Sequence, residues 1–163
     1  MKLSKKSNLN KNSGFTLIEL LLVVAIIATL AIGVFVALNP SQRLKDSKDA
    51  RRRTDIANIL TAVHAYIVDN GGSLPSGLTA GMSEVQLGTA ASGCAVSTGG
   101  CTVAATACVD LATPLAAYLK DIPMDPSTGS ASETNYSAVV DANGIVTIRA
   151  CGSEGGTDIE TSR

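Results

Sequence analysis

The chain has 163 residues, a formal net charge of −1 and four cysteines, a length that suits one domain. Its charge is unevenly placed: Lys2, Lys5, Lys6 and Lys11 fall in the first 14 residues with no acid, so −1 less those four charges leaves −5 on the rest. A mildly acidic body argues against general nucleic-acid binding. No nucleophile with a base, no supported carboxylate pair and no Gly-rich phosphate loop can be found, so neither an enzyme nor a cofactor is expected.

Residues 15–38 read FTLIELLLVVAIIATLAIGVFVAL, with Glu19 as the single charge. A helix of this length spans about 36 Å, enough to cross a hydrocarbon core of about 30 Å. The apolar region of a secretory signal peptide is shorter, about 7–15 residues. No A-x-A site follows the block, which instead runs into Asn39-Pro40. Glu19 is the anomaly, because a bare carboxylate in hydrocarbon costs on the order of a few kcal/mol. Such a residue either reaches water at the membrane edge or has a partner.

Directly before the block stands Lys11-Asn12-Ser13-Gly14, followed by Phe15-Thr16-Leu17-Ile18-Glu19. A basic leader, a small residue, an aromatic start and an acid at this spacing resemble the type IV prepilin family. The resemblance implies that a prepilin peptidase cuts between Gly14 and Phe15 and then N-methylates Phe15. It also implies that Glu19 serves filament assembly. Physical chemistry supplies a reason: cleavage creates an α-amino group at Phe15, and in a packed array the amine of one subunit can approach the Glu19 carboxylate of another. In low dielectric that attraction is strong, although desolvation offsets much of it, so its main effect is to select one axial register between slippery apolar helices.

Pro40 lacks an N–H and Gly33 is conformationally soft, so a kink or loosened turn is expected around these two positions. From Ser41 to about Asp69 the pattern is helical again. Ile56, Ile59, Leu60, Val63 and Ile67 define one apolar face, which Leu44 could extend. Asp49, Arg52, Arg53, Asp55 and Asn58 are assigned to the opposite, polar face. Asn70-Gly71-Gly72 is a stop signal. The stretch RRRTDIANILTAVHAYIVDNGGSLP also resembles pilins. Arg51-Arg52-Arg53 reads as a solvated or intersubunit charged face rather than a DNA patch, since acids dilute it and no aromatics interleave. His64, the one histidine, has no catalytic or metal partner in sight and reads as structural.

Residues 70–163 are rich in Ala, Gly, Ser and Thr, so their core must be small and covalent help is expected. Cys94, Cys101, Cys108 and Cys151 all lie here, and their spacing suits disulfides rather than a zinc site. Three connectivities are open. The short loop between Cys94 and Cys101 favours closing that pair, which leaves Cys108 for Cys151. Residues 77–100 read as loops with short strands. Residues 111–120 suggest a short helix with Pro114 in its first turn. The string YLKDIPMDPSTG…NY resembles pilins and type II secretion pseudopilins, some of which hold calcium in the following loop. That resemblance offers Asp121 and Asp125 as calcium ligands, although Asp-Pro and Pro-Ser-Thr-Gly are also ordinary turn formers. Residues 135–141 and 145–151 alternate in polarity around Asn143-Gly144 and predict an antiparallel hairpin. Residues 152–163 read as a polar, loosely held tail.

The expected architecture is α+β, a long N-terminal helix on a small antiparallel sheet. It is divided into a removable leader (1–14), a transmembrane and assembly helix (15–38), an amphipathic second half (39–69) and an extracytoplasmic head (70–163). The resemblance implies a type IV pilus subunit whose partners are copies of itself, other pilins, prepilin peptidase, inner-membrane assembly machinery and, before assembly, the lipid bilayer. It also implies a precursor in the inner membrane with its leader in the cytoplasm and its head outside, followed by an extracellular pilus. A type II secretion pseudopilin and an uncleaved membrane-anchored binding module are the competing readings.

Overall fold

The structure, a computed structural model, describes residues 14–163. The lysine-rich leader, apart from Gly14, lies outside the described residues. The chain divides into two units, one ending at Pro40 and the other running from Ser41 to Arg163.

The first unit is built on helix α1, Leu17–Leu38. An unbroken run of Leu, Ile, Val and Ala makes it helical, and an 18-residue window reaches a mean hydropathy of 3.0. It is long and apolar enough to cross a membrane. None of its residues is buried. The helix passes through Gly33 without a break and ends at Asn39, which takes a left-handed conformation with φ 41°. Asparagine tolerates that region better than most residues with a Cβ. Pro40 then opens helix α2, Pro40–Asp69, where its missing N–H and fixed φ do no harm. The interruption therefore falls at Asn39, between the two softer positions read from the sequence.

In the second unit, α2 buries Ile56, Ile59, Leu60, Ala62 and Val63. Its C-terminus is closed by Gly71 in the left-handed region (φ 63°) and by the Gly72 N–H, which donates to the Ile67 carbonyl at 2.8 Å. The sheet comprises β1 (Val85–Gln86), β2 (Tyr136–Val140), β3 (Val146–Ala150) and β4 (Ile159–Ser162). It is antiparallel throughout, in the order β1-β2-β3-β4. The β2–β3 hairpin pairs Val140 with Val146 and Tyr136 with Ala150. Its turn is fastened by Asp141, whose carboxylate accepts the Asn143 and Ile145 N–H groups, each at 2.8 Å.

Period-2 alternation decides which face meets α2. Tyr136, Ala138, Val140, Val146, Ile148 and Ala150 are fully buried and share one core with the α2 stripe. Burying each large aliphatic side chain contributes about 1.5–3 kcal/mol. Leu87, Leu111 and Leu115 complete that core. Helix α3, Ala112–Leu115, is shorter than the sequence suggested; four residues suffice to turn Leu111 and Leu115 inward.

Three sequence expectations are overturned. Residues 152–163 are not a loose tail: Ile159–Ser162 forms β4, and Arg163 exchanges two backbone hydrogen bonds with Val146, each 3.1 Å. A polar strand is stable there because β3 supplies its ladder and Ile159 enters the core. The disulfides join Cys94 to Cys108 and Cys101 to Cys151, not Cys94 to Cys101. Cys94 and Cys101 are kept apart by a small antiparallel bridge between Val96 and Val103. That bridge turns Cys101 toward β2, where its sulfur lies 3.2 Å from the Ser137 hydroxyl. Finally, Asp49, Arg52 and Asp55 are buried rather than solvated, whereas Leu44 is exposed.

Candidate assembly site at the start of the first helix

The predicted cut lies on open chain. Gly14 is exposed, a Cβ added there would meet nothing within 4 Å, and Phe15 is 84% exposed. Thr16 is the N-cap of α1 and has extended backbone. Its hydroxyl accepts the Glu19 N–H at 3.3 Å, while Glu19 Oε2 accepts the Thr16 N–H and the Thr16 hydroxyl, both at 2.8 Å. This is a capping box, in which two otherwise orphaned backbone donors are satisfied reciprocally.

Glu19 therefore has a partner within its own chain, a role the sequence reading missed. The signal was present, because Thr-x-x-Glu immediately before an apolar run is the sequence signature of this cap. The carboxylate also lies in the first helical turn, where a negative charge opposes the positive end of the helix dipole. Only Oε2 is engaged; no hydrogen bond or ion pair holds Oε1 among the described residues. The site thus offers a fixed acceptor two turns or less from an exposed aromatic residue, at the end of an uncovered apolar helix.

A second charged centre lies in the other unit. Arg52 is completely buried, and its Nε and Nη2 donate to the two carboxylate oxygens of Asp125 at 2.6 and 3.1 Å. Nη1 donates to Asp49 at 2.7 Å, and Nη2 also lies 3.3 Å from Glu154. The backbone N–H groups of Glu154 and Gly155 donate to Asp49, and Lys48 pairs with Glu154 at 3.3 Å. A Cβ on Gly152 would sit 2.6 Å from the Asp125 carboxylate, so only glycine lets the chain pass this close. One guanidinium thereby ties α2 to the 125–128 loop and to the segment leading into β4.

The electrostatics follow from the geometry. Burial pushes the Asp49 and Asp125 carboxyls up, but their hydrogen bonds and the Arg52 charge more than offset this, leaving both below the usual carboxylate range. The Ser127 hydroxyl, donating at 2.6 Å, is the main reason Glu154 falls to about 2, with Lys48 and Arg52 adding to it. Tyr136 is pushed up by burial and by its 2.9 Å bond to Asp55. On the far face of the sheet, Glu84 is buried yet held below the ordinary range by Ser137, Thr102 and Arg149, against the opposing pull of burial.

The sequence reading put Arg52 on a solvated face because it is charged. Its position gave the opposite signal: 49, 52, 56, 59 and 63 step by three and four along one face of the helix. Of the calcium candidates, Asp125 is turned onto Arg52 and also accepts the Ser127 and Thr128 N–H groups, while Asp121 is exposed. A cation at Asp125 would have to displace the guanidinium. Among the described residues, no group of three or more His, Cys, Asp or Glu side chains is arranged to hold a metal ion. Arg51 and Arg53 are exposed, and His64 Nε2 lies 3.1 Å from the Arg163 carbonyl, beside β4.

Residues 9–35 match the family described as the prokaryotic N-terminal methylation motif. That motif is the signature of type IV prepilin- and pseudopilin-like proteins. The match spans the predicted cut, the Thr16–Glu19 cap and most of α1. No curated protein and no solved structure matches the chain.

Proposed function

We propose that the chain is the precursor of a type IV pilus subunit, held in the cytoplasmic membrane by α1, cut after Gly14, methylated on Phe15 and assembled with copies of itself. The observation that carries this reading is a helix of 22 residues with no buried side chain, capped by Glu19 and lying within the methylation motif. A soluble monomer does not leave such a continuous apolar surface in water; a bilayer first and a bundle of identical helices afterwards would cover it.

Glu19 would have two roles. Oε2 caps its own helix, and Oε1 is open to the Phe15 amine of a neighbouring subunit. A wrong register would leave both charges buried and unpaired, which is costly in an apolar bundle. The two disulfides in the head suit an oxidising location outside the cytoplasm. The leader would remain in the cytoplasm, and prepilin peptidase and the membrane assembly machinery would be the other partners.

Mass spectrometry of the mature N-terminus tests this reading. The expected result is a chain that begins at methylated Phe15. A chain that keeps residues 1–14 would point instead to an uncleaved membrane-anchored binding module.

A further inference from the structure

Two surface features of the second unit lie outside the charged cluster around Arg52. The first is the turn Arg43-Leu44-Lys45 near the start of α2. All three residues are exposed, Leu44 by 59%, and neither cation has an ion-pair partner among the described residues. Arg52, Lys48 and Arg51, by contrast, are engaged with Asp125, Glu154 and Asp55. The second feature is a groove of about 330 Å³ between the start of α3 and residues 121–134. Leu111, Ile122 and Met124 give it an apolar lining, and Met124 is 41% exposed. Asp110 and Asp121 also line it, with no basic residue among the lining side chains. Asp110 accepts the Ala112 N–H at 2.8 Å, and Asp121 has no ion-pair partner among the described residues.

We propose that this groove receives the Arg43-Leu44-Lys45 turn of a second copy of the chain, with Leu44 against Met124 and Ile122 and the two cations facing Asp110 and Asp121. The contact rests on the filament reading above and adds to it a second, head-borne interface. Charge and polarity are complementary: two cations and an apolar side chain on one side, two acids and an apolar lining on the other. Each copy carries both halves, and when they dock head to tail the contact is heterologous and leaves a free half at each end. Such contacts grow open helical assemblies where the rotation between copies does not close. Exposed ion pairs are individually weak. Subunits already held together through α1 would meet at high effective concentration, and there a weak contact is enough to select orientation. An anionic membrane surface would also attract Arg43 and Lys45, but it gives no account of the acidic groove.

The test is a charge swap in the full-length precursor, made in the cell that produces it. Asp121→Lys and Lys45→Asp are each expected to lower the yield of sheared filament by roughly threefold or more, and the double variant to recover most of it. A photo-crosslinking residue at position 44 is expected to join two copies through a peptide from residues 110–124. Both altered side chains are exposed, so thermal melting of each variant should match the parent and exclude misfolding. An unchanged yield for Asp121→Lys, no recovery in the double variant, or crosslinks from position 44 to lipid alone would each overturn the contact. The N-terminal mass separates this outcome from failure of the filament reading: methylated Phe15 with normal filaments and no swap effect removes only the contact.

Discussion

Helices α1 and α2 both carry stripes of Leu, Ile and Val, but they use them in opposite ways. In α2 the stripe is covered by the sheet of its own chain, with Ile59 and Val63 fully buried. In α1 no residue is buried. Their charged residues differ in the same sense. Arg52 finds two of its three counterions across more than 70 residues of sequence, at Asp125 and Glu154, besides Asp49 on its own helix, whereas Glu19 has its partner three residues away, at Thr16. The hydrophobic driving force is the same per unit area in both helices. One helix has discharged it within the chain, and in the other it is left unspent among the described residues.

The sharpest way to break this comparison is Glu19→Ala. On the proposed function it should abolish filament assembly, seen as loss of fibres by electron microscopy, while thermal melting of the second unit stays unchanged. Normal filaments from this variant would refute the register role. Gly14→Arg should act one step earlier and leave the precursor uncut, with the unprocessed mass as readout.

Arg52→Ala should have the reverse profile. Insertion through α1 should persist, while the second unit loses about 3–5 kcal/mol because Asp125 and Asp49 are left buried and uncompensated. Denaturant unfolding of the full chain in detergent measures this. The disulfides refine the comparison further, since α1 has none. Replacing Cys101 and Cys151, which close 50 residues, should cost about 4 kcal/mol; replacing Cys94 and Cys108, which close 14, about 3. Equal losses would indicate that strain or residual unfolded structure outweighs loop length.

The smallest effect is that of pH. Glu154, Asp49 and Asp125 titrate below their ordinary values in the folded state. At acid pH the unfolded chain therefore takes up protons before the folded one does. Their contribution is fully present above the ordinary carboxylate range and is lost as pH falls, for Glu154 between 4.5 and about 2. The melting temperature of the second unit should thus be level near neutrality and decline below about pH 4.5, with a shallower decline in Glu154→Gln.

The sequence alone determined whatever depends on neighbours a few positions apart. The apolar span, the cap at Thr16–Glu19, the α2 stripe, the Gly71-Gly72 stop and the β2–β3 hairpin are all local patterns. Helical and strand periodicity make such patterns readable without coordinates. Only the tertiary structure decided the rest. Ile159–Ser162 is a strand because β3 offers it a ladder, and nothing within its own polar residues says so. The cysteine pairing depends on where the Val96–Val103 bridge places Cys101, and loop length alone pointed to the wrong partner. Arg52 is buried because Asp125 and Glu154 arrive from distant segments to neutralise it. Charge by itself read as surface, and only long-range partners can reverse that reading.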